Sequence, residues 1–176
     1  MAEGVFPKVN GDVLFASEVN SLAQNELKGI SATLTAPASG WHQTPVGTAN
    51  ITDHDLTTTV TTSPQMGDAT NSAGEFAVFK WDMGSLKDIS WVGWKYGITS
   101  NIATNSTITV DVSTNDIVWA ELDTQSITGT GPSTFLSNIA GVMENIRYVR
   151  IKWTVTSFGS GAVATFVPYE VSAKLF

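Results

Sequence analysis

Hydrophobic and polar positions alternate through most of the second half of the chain. In 107–113, Ile108, Val110 and Val112 fall on one face and Thr107, Thr109 and Asp111 on the other, the two-residue period of a half-buried strand. Across 147–155, Arg147, Val149, Ile151, Trp153 and Val155 oppose Tyr148, Arg150, Lys152 and Thr154. Residues 163–175 close the chain with Val163, Thr165, Val167, Tyr169, Val171, Ala173 and Leu175 in step. Two further stretches, 76–83 and 89–98, are rich in aromatic residues and are expected to be buried on much of both faces. Strands punctuated by Gly, Pro, Ser and Thr, with no helical period between them, predict an all-β antiparallel sandwich or jelly roll rather than an α/β fold. Long polar connections are expected at 61–74 and 124–138, near the length at which a structureless loop needs a reason.

Residues 1–31 are different in kind. The stretch 5–12 is extended and ends in the turn-forming pair Asn10-Gly11. Ser17 is placed to cap a short helix running to about Lys28, with Gly29 in the left-handed closing position. Val19, Leu22, Ala23 and Leu27 share one face of it. So short a helix is marginal alone, so its apolar side needs a support: another molecule, or the protein's own sheet. The chain thus divides into an N-terminal arm with a short helix, 1–31, and a sandwich domain, 32–176.

Composition narrows the functions. The chain has no cysteine, which excludes disulfides and thiolate metal sites. Nine basic residues against sixteen acidic give a net charge of −7 with no basic run, so nucleic acid is not an expected partner. No segment approaches the ~20 consecutive apolar residues of a membrane span, and residues 1–7 lack the basic and apolar regions of a cleaved leader. The sequons at Asn50 and Asn105 arise readily in a Thr-rich chain and carry no weight.

The search for an active site finds little. The histidines are His42 and His54. Asp53-His54-Asp55 can orient an imidazole for general-base work or supply a transition-metal ligand, but no third partner stands at a recognisable spacing. There is no Gly-x-Ser-x-Gly elbow, and Gly129-Thr130-Gly131-Pro132-Ser133 lacks the lysine of a phosphate loop. No pair of carboxylates is singled out for glycoside hydrolysis. A non-enzyme that requires no cofactor is expected. Among the aromatics, Trp81, Trp91, Trp94 and Trp153 are assigned to the core. Trp41, beside His42 in a polar loop, is the candidate platform for a sugar face, with plugging the base of the sandwich as its other use.

Five short motifs in order resemble the discoidin or galactose-binding-like jelly roll over about residues 48–176. They are Asn50-Ile51-Thr52-Asp53-His54-Asp55-Leu56-Thr57-Thr58, Lys80-Trp81-Asp82-Met83-Gly84-Ser85, Val112-Ser113-Thr114-Asn115-Asp116-Ile117-Val118-Trp119, Arg147-Tyr148-Val149-Arg150-Ile151 and Tyr169-Glu170-Val171. Thr114-Asn115-Asp116 also suits a tight turn on its own chemistry, which would set Trp119 over one end of the core. The family usually has Gly where Asp116-Ile117 stands, and often Trp where Val60 stands. In sugar-binding members the early loop and the last strand's Glu often hold a structural Ca2+. The resemblance therefore implies a site at Asp53, Asp55, Thr58 and Glu170, whose hard oxygen donors suit that ion. The alternative is that Asp53 and Asp55 cap a turn and Glu170 pairs with Arg147 or Arg150.

A second resemblance covers 9–22. Val9-Asn10-Gly11-Asp12-Val13-Leu14-Phe15-Ala16-Ser17-Glu18-Val19-Asn20-Ser21-Leu22 looks like the opening of many tailed-bacteriophage virion proteins, ahead of a fibre, spike or decoration domain. It implies a virion structural protein (a capsid decoration protein, head fibre or tail-associated spike) assembled in the host cytoplasm. Its docking face would be Phe6, Val9, Leu14, Phe15, Val19, Leu22 and Leu27. Its partners would be other virion proteins and copies of itself, a trimer being favoured. The competing expectation is a carbohydrate-binding module that mediates glycan adhesion.

Overall fold

A computed structural model of the protein describes residues 26–36, 43–53, 57–63, 65–67, 73–100, 104–129, 133–158 and 163–175. Its strands are β1 (Thr33–Thr35), β2 (Gln65–Gly67), β3 (Phe76–Ser100), β4 (Thr104–Ser113), β5 (Trp119–Gly129), β6 (Ser133–Phe158) and β7 (Val163–Leu175). Every strand pairing is antiparallel. Hydrogen bonding runs in the order β2-β7-β3-β6-β4-β5, with β1 on the other side of β3.

One connected sheet becomes a two-layer sandwich because β3 and β6 pass through both layers. Residues 76–82 of β3 pair with β1 and with 148–154 of β6, which continues into β4 and β5. Residues 89–98 of β3 pair instead with 133–143 of β6 and with β7. Between the two halves the register slips at Asp82/Lys87, Lys87/Ile89 and Ile89/Trp91. There Gly84 (φ 80°) and Asn145 (φ 58°) take left-handed conformations, open to Gly and tolerated by Asn. Such bulges bend a strand and flip its side-chain phase. The buried set accordingly changes from Ala77, Phe79, Trp81 and Met83 to Val92, Trp94, Tyr96 and Ile98.

The layers meet face to face. Phe166 of β7 stacks on Trp153 of β6 (5.7 Å, 24°) and lies 5.9 Å from Phe79, in strand segments that are never its hydrogen-bonded neighbours. The Tyr96 hydroxyl crosses to donate to Gln125 of β5 (2.6 Å), and burial, with Asp123 nearby, raises its pKa. The indole N–H groups of Trp81, Trp94 and Trp153 are buried without an acceptor among the described residues. Each costs about 1–3 kcal/mol, against roughly 4–6 kcal/mol from burying an indole's 150–250 Å² at ~25 cal/mol per Å². Ring burial wins.

Described segments ahead of β3 seal the outer edge of β7 piece by piece. β2 pairs with 163–165, the Thr59 hydroxyl donates to the Pro168 carbonyl (2.9 Å), and the Glu26 N–H donates to the Ala173 carbonyl (2.9 Å). Ile51, Val60 and Leu27 are buried in the core from this side, so an edge that could template aggregation is covered.

Several expectations change. The stretches 76–83 and 89–98 belong to one strand, because Gly84 bends the backbone rather than ending it. The connection expected at 124–138 is mostly strand: β5 runs to Gly129 and β6 starts at Ser133. Its Thr and Ser residues sit well on a solvated pleat. β7 does not keep one phase, for Ala164 and Phe166 are buried on one side of a bulge at Lys95/Tyr96, and Val171 and Ala173 on the other. Trp119 is outside the core cluster. Of the N-terminal helix, 26–29 is a turn closed by Gly29 at φ 75°, and 17–25 lies outside the described residues.

Candidate functional site

Strand alternation places two outward faces on the sandwich, and they are built differently. On the first layer, cross-strand rows run Lys80, Arg150, Asp111, Glu121 and Asp82, Tyr148, Ser113, Trp119. Charges here answer one another. Arg150 bonds Asp111 (2.7 Å), Arg147 grips Asp82 through Nε and a terminal nitrogen (2.8 Å each), and Lys80 meets Asp116 (2.5 Å). The Arg147 hydrogen bonds, with the Gly84 N–H, hold the Asp82 carboxyl below its ordinary pKa despite some desolvation, and Asp82 raises that of Arg147. The aromatic faces are taken as well. The Arg150 guanidinium lies 4.0 Å over Trp119, and Arg147 lies 5.1 Å over Tyr148.

The loop after β4 is knitted by its own side chains. Ser113 Oγ accepts from the Asn115 and Asp116 N–H groups (3.2 and 3.1 Å) and donates to the Val118 carbonyl (2.5 Å). Asn115 Oδ1 accepts from the Ile117 and Val118 N–H groups (3.0 Å each), while Asp116 takes φ 64°. These are Asx- and Ser-turn bonds, so the turn expected at Thr114-Asn115-Asp116 forms with no Gly in it.

On the second layer the rows are Ala140, Trp91, Lys174 and Asn138, Gly93, Ser172. Val92 and Trp94 point inward, so Trp91 and Gly93 point out. Trp91 is half-buried and lies flat over Gly93: a Cβ built on Gly93 would stand 2.0 Å from Cη2 and 2.3 Å from Cζ2 of the indole. Only glycine leaves room for the ring there. Exposed Asn138 and Ala140 flank it on one side. On the other, buried Ser172 donates to the Glu170 carboxylate (2.7 Å), and Lys95 lies 4.7 Å over the Tyr169 ring. An aromatic ring laid on a sheet beside an exposed amide, Asn138, can seat the apolar face of a pyranose and offer its hydroxyls a hydrogen-bond partner. The assignment of Trp91 to the core is thereby corrected. Its place was readable, since Val92, Trp94, Tyr96 and Ile98 on one phase put Trp91, Gly93 and Lys95 on the other.

The remaining expected site residues are distributed as follows. Trp41, His42 and Asp55 lie outside the described residues, as do Phe6, Val9, Leu14, Phe15, Val19 and Leu22. Leu27 has no exposed area and belongs to the protein's own core, so this docking position is corrected: its side chain offers nothing to a partner. The Thr58 hydroxyl donates to the Asp53 carboxylate, 2.8 Å from Oδ2 and 3.0 Å from Oδ1. Glu170 bonds Ser172, while Arg147 and Arg150 are engaged by Asp82 and Asp111, so the arginine pairing weighed for Glu170 does not form. Asp53 and Thr58 are thus bonded to each other, and among the described residues no three acids or histidines gather to hold a metal.

No protein-family model and no curated protein matches the chain. Solved structures are similar in fold. One is the N-terminal cellulose-binding domain of Cellulomonas fimi β-1,4-glucanase C, at 11% identity and TM-score 0.51, covering 83% of this chain and 89% of that one. Another is TmCBM61 in complex with β-1,4-galactotriose, at 8% identity and TM-score 0.50, covering 88% of this chain and 100% of that one. The chain shares the β-sandwich fold of these carbohydrate-binding modules.

Proposed function

We propose that the protein is a non-catalytic glycan-binding module that stacks a sugar ring on Trp91. The observation that carries the reading is the indole held flat over Gly93 on the outer face of the second layer. The fold supports it, because similar sandwiches are described as binding cellulose and as holding β-1,4-galactotriose. Likeness of fold does not choose a face; the Trp91 platform supports the second layer. The test is affinity electrophoresis of the full chain in gels containing soluble β-1,4-glucan or β-1,4-galactan. Retardation is expected with at least one polymer, and Trp91→Ala is expected to weaken it at least about tenfold, the loss of a central aromatic anchor. Wild-type retardation by the Trp91→Ala protein would refute the reading.

The virion reading, with its trimer and capsid or tail partners, rests on residues 9–22, which lie outside the described residues. Nothing in the fold or the comparisons adds to it. Adhesion to glycans is the function the geometry supports.

A further inference from the structure

The rim of the Trp91 platform carries a positive charge. On the first layer Lys80, Arg147 and Arg150 meet Asp116, Asp82 and Asp111, and Lys152 lies 4.6 Å over the Phe76 ring. Lys174 is half-buried, is the direct cross-strand partner of Trp91, and shares its face. Among the described residues no carboxylate pairs with it. The acid on the same strand face, Glu170, is 2% exposed and accepts the Ser172 hydroxyl. A guard against strand pairing is one use for a lysine at a sheet edge. Here that edge is already closed by the Glu26 N–H on the Ala173 carbonyl.

In a chain of net charge −7, we infer that the sugar seated on Trp91 carries an anionic substituent, a carboxylate or a sulfate, which the Lys174 ammonium meets. The inference rests on the glycan-binding reading and names the ligand's class. Cross-strand Cβ atoms stand about 4.5–5.5 Å apart. A pyranose on the indole therefore brings its ring substituents within reach of the flexible lysine stem.

The experiment measures binding of the full chain, at low and at moderate salt, to polygalacturonate, to a sulfated galactan and to neutral β-1,4-galactan. Expected is tighter binding to one or both acidic polymers, weakened by salt, with the preferred polymer telling carboxylate from sulfate. Lys174→Gln should weaken that binding about fivefold, an exposed charge contact, and Lys174→Arg should retain most of it. Lys152→Gln removes the same charge from the first layer and should leave binding unchanged. Equal, salt-insensitive binding to acidic and neutral polymers, or wild-type affinity in Lys174→Gln, overturns the charge inference and leaves the platform standing. Failure to bind any polymer overturns both.

Discussion

The two outward faces hold the same kinds of side chain and use them in opposite ways. On the first layer, Trp119 and Tyr148 lie under guanidinium groups, and the cations that cover them are held in turn by Asp111, Asp82 and Asp116. That surface is occupied by its own chemistry, and it ties the loop after β4 to the sheet. On the second layer the tryptophan is pressed against bare backbone at Gly93, and the lysine opposite it has no acid partner among the described residues. A face that satisfies itself adds stability. A tryptophan laid over bare backbone, beside a lysine with no acid partner among the described residues, is the arrangement the proposed platform uses.

If this division is right, substitutions on the first layer should lower stability and spare binding. The largest effect is expected at Arg150. Its removal leaves the Asp111 carboxylate, with a side chain only 6% exposed, without a counter-charge. A buried pair broken on one side loses about 3–5 kcal/mol; with Arg150 itself 23% exposed, about 2–3 kcal/mol is expected for Arg150→Ala. Urea titration measures it, with glycan affinity at 25 °C unchanged. Loss of affinity in a still-folded Arg150→Ala protein would move the binding site to the first layer.

The second layer should give the reverse. Gly93→Ala keeps every polar group yet places a Cβ where the indole lies, so the ring must swing away. Stability should fall by about 1–2 kcal/mol, the cost of crowding a fitted site, while affinity falls at least about tenfold, as for loss of the ring itself. Tryptophan fluorescence should report greater solvent exposure of the displaced indole. Intact affinity in Gly93→Ala would show that the flat ring is packing and no platform.

Much of this division could be read from the sequence, and the rest failed for definable reasons. Alternation located β4 and the inward row Val149, Ile151, Trp153 and Val155, because strands without bulges keep their phase. It misplaced the phase of β7, because a bulge flips every later side chain and leaves no mark in a single sequence; Trp91 was missed although the alternation of Val92, Trp94, Tyr96 and Ile98 places it, because an aromatic-rich strand reads as buried on both faces. The Thr/Ser-rich stretch after Leu122 looked like loop, since one-sided polar strands share loop composition. The Ser113–Val118 turn was legible through residues whose side chains make the turn bonds. The long-range pairings of Arg147 with Asp82 and Arg150 with Asp111 were not, because they depend on the register of strands distant in sequence.

The smallest expected effect lies at Asp82 and separates the faces by pH. Its pKa is lowered in the folded protein, first by the Arg147 hydrogen bonds and then, against desolvation, by the Gly84 N–H. A depressed carboxyl pKa adds stability that is fully present above the unfolded value and lost as pH falls through the folded one. Asp82→Asn should therefore lie below wild type in thermal stability from neutral pH down to about pH 5, and the gap should close at more acidic pH. Asp82 and Arg147 side chains are about 40% exposed, so solvent screening limits the plateau to under ~1 kcal/mol. Trp91→Ala carries no such group, and its stability difference from wild type should stay parallel across the same scan. A gap for Asp82→Asn that persists unchanged into acid would mean the aspartate acts through shape at the Gly84 bend, and the first layer's charges would then contribute less than its hydrogen-bonded turns.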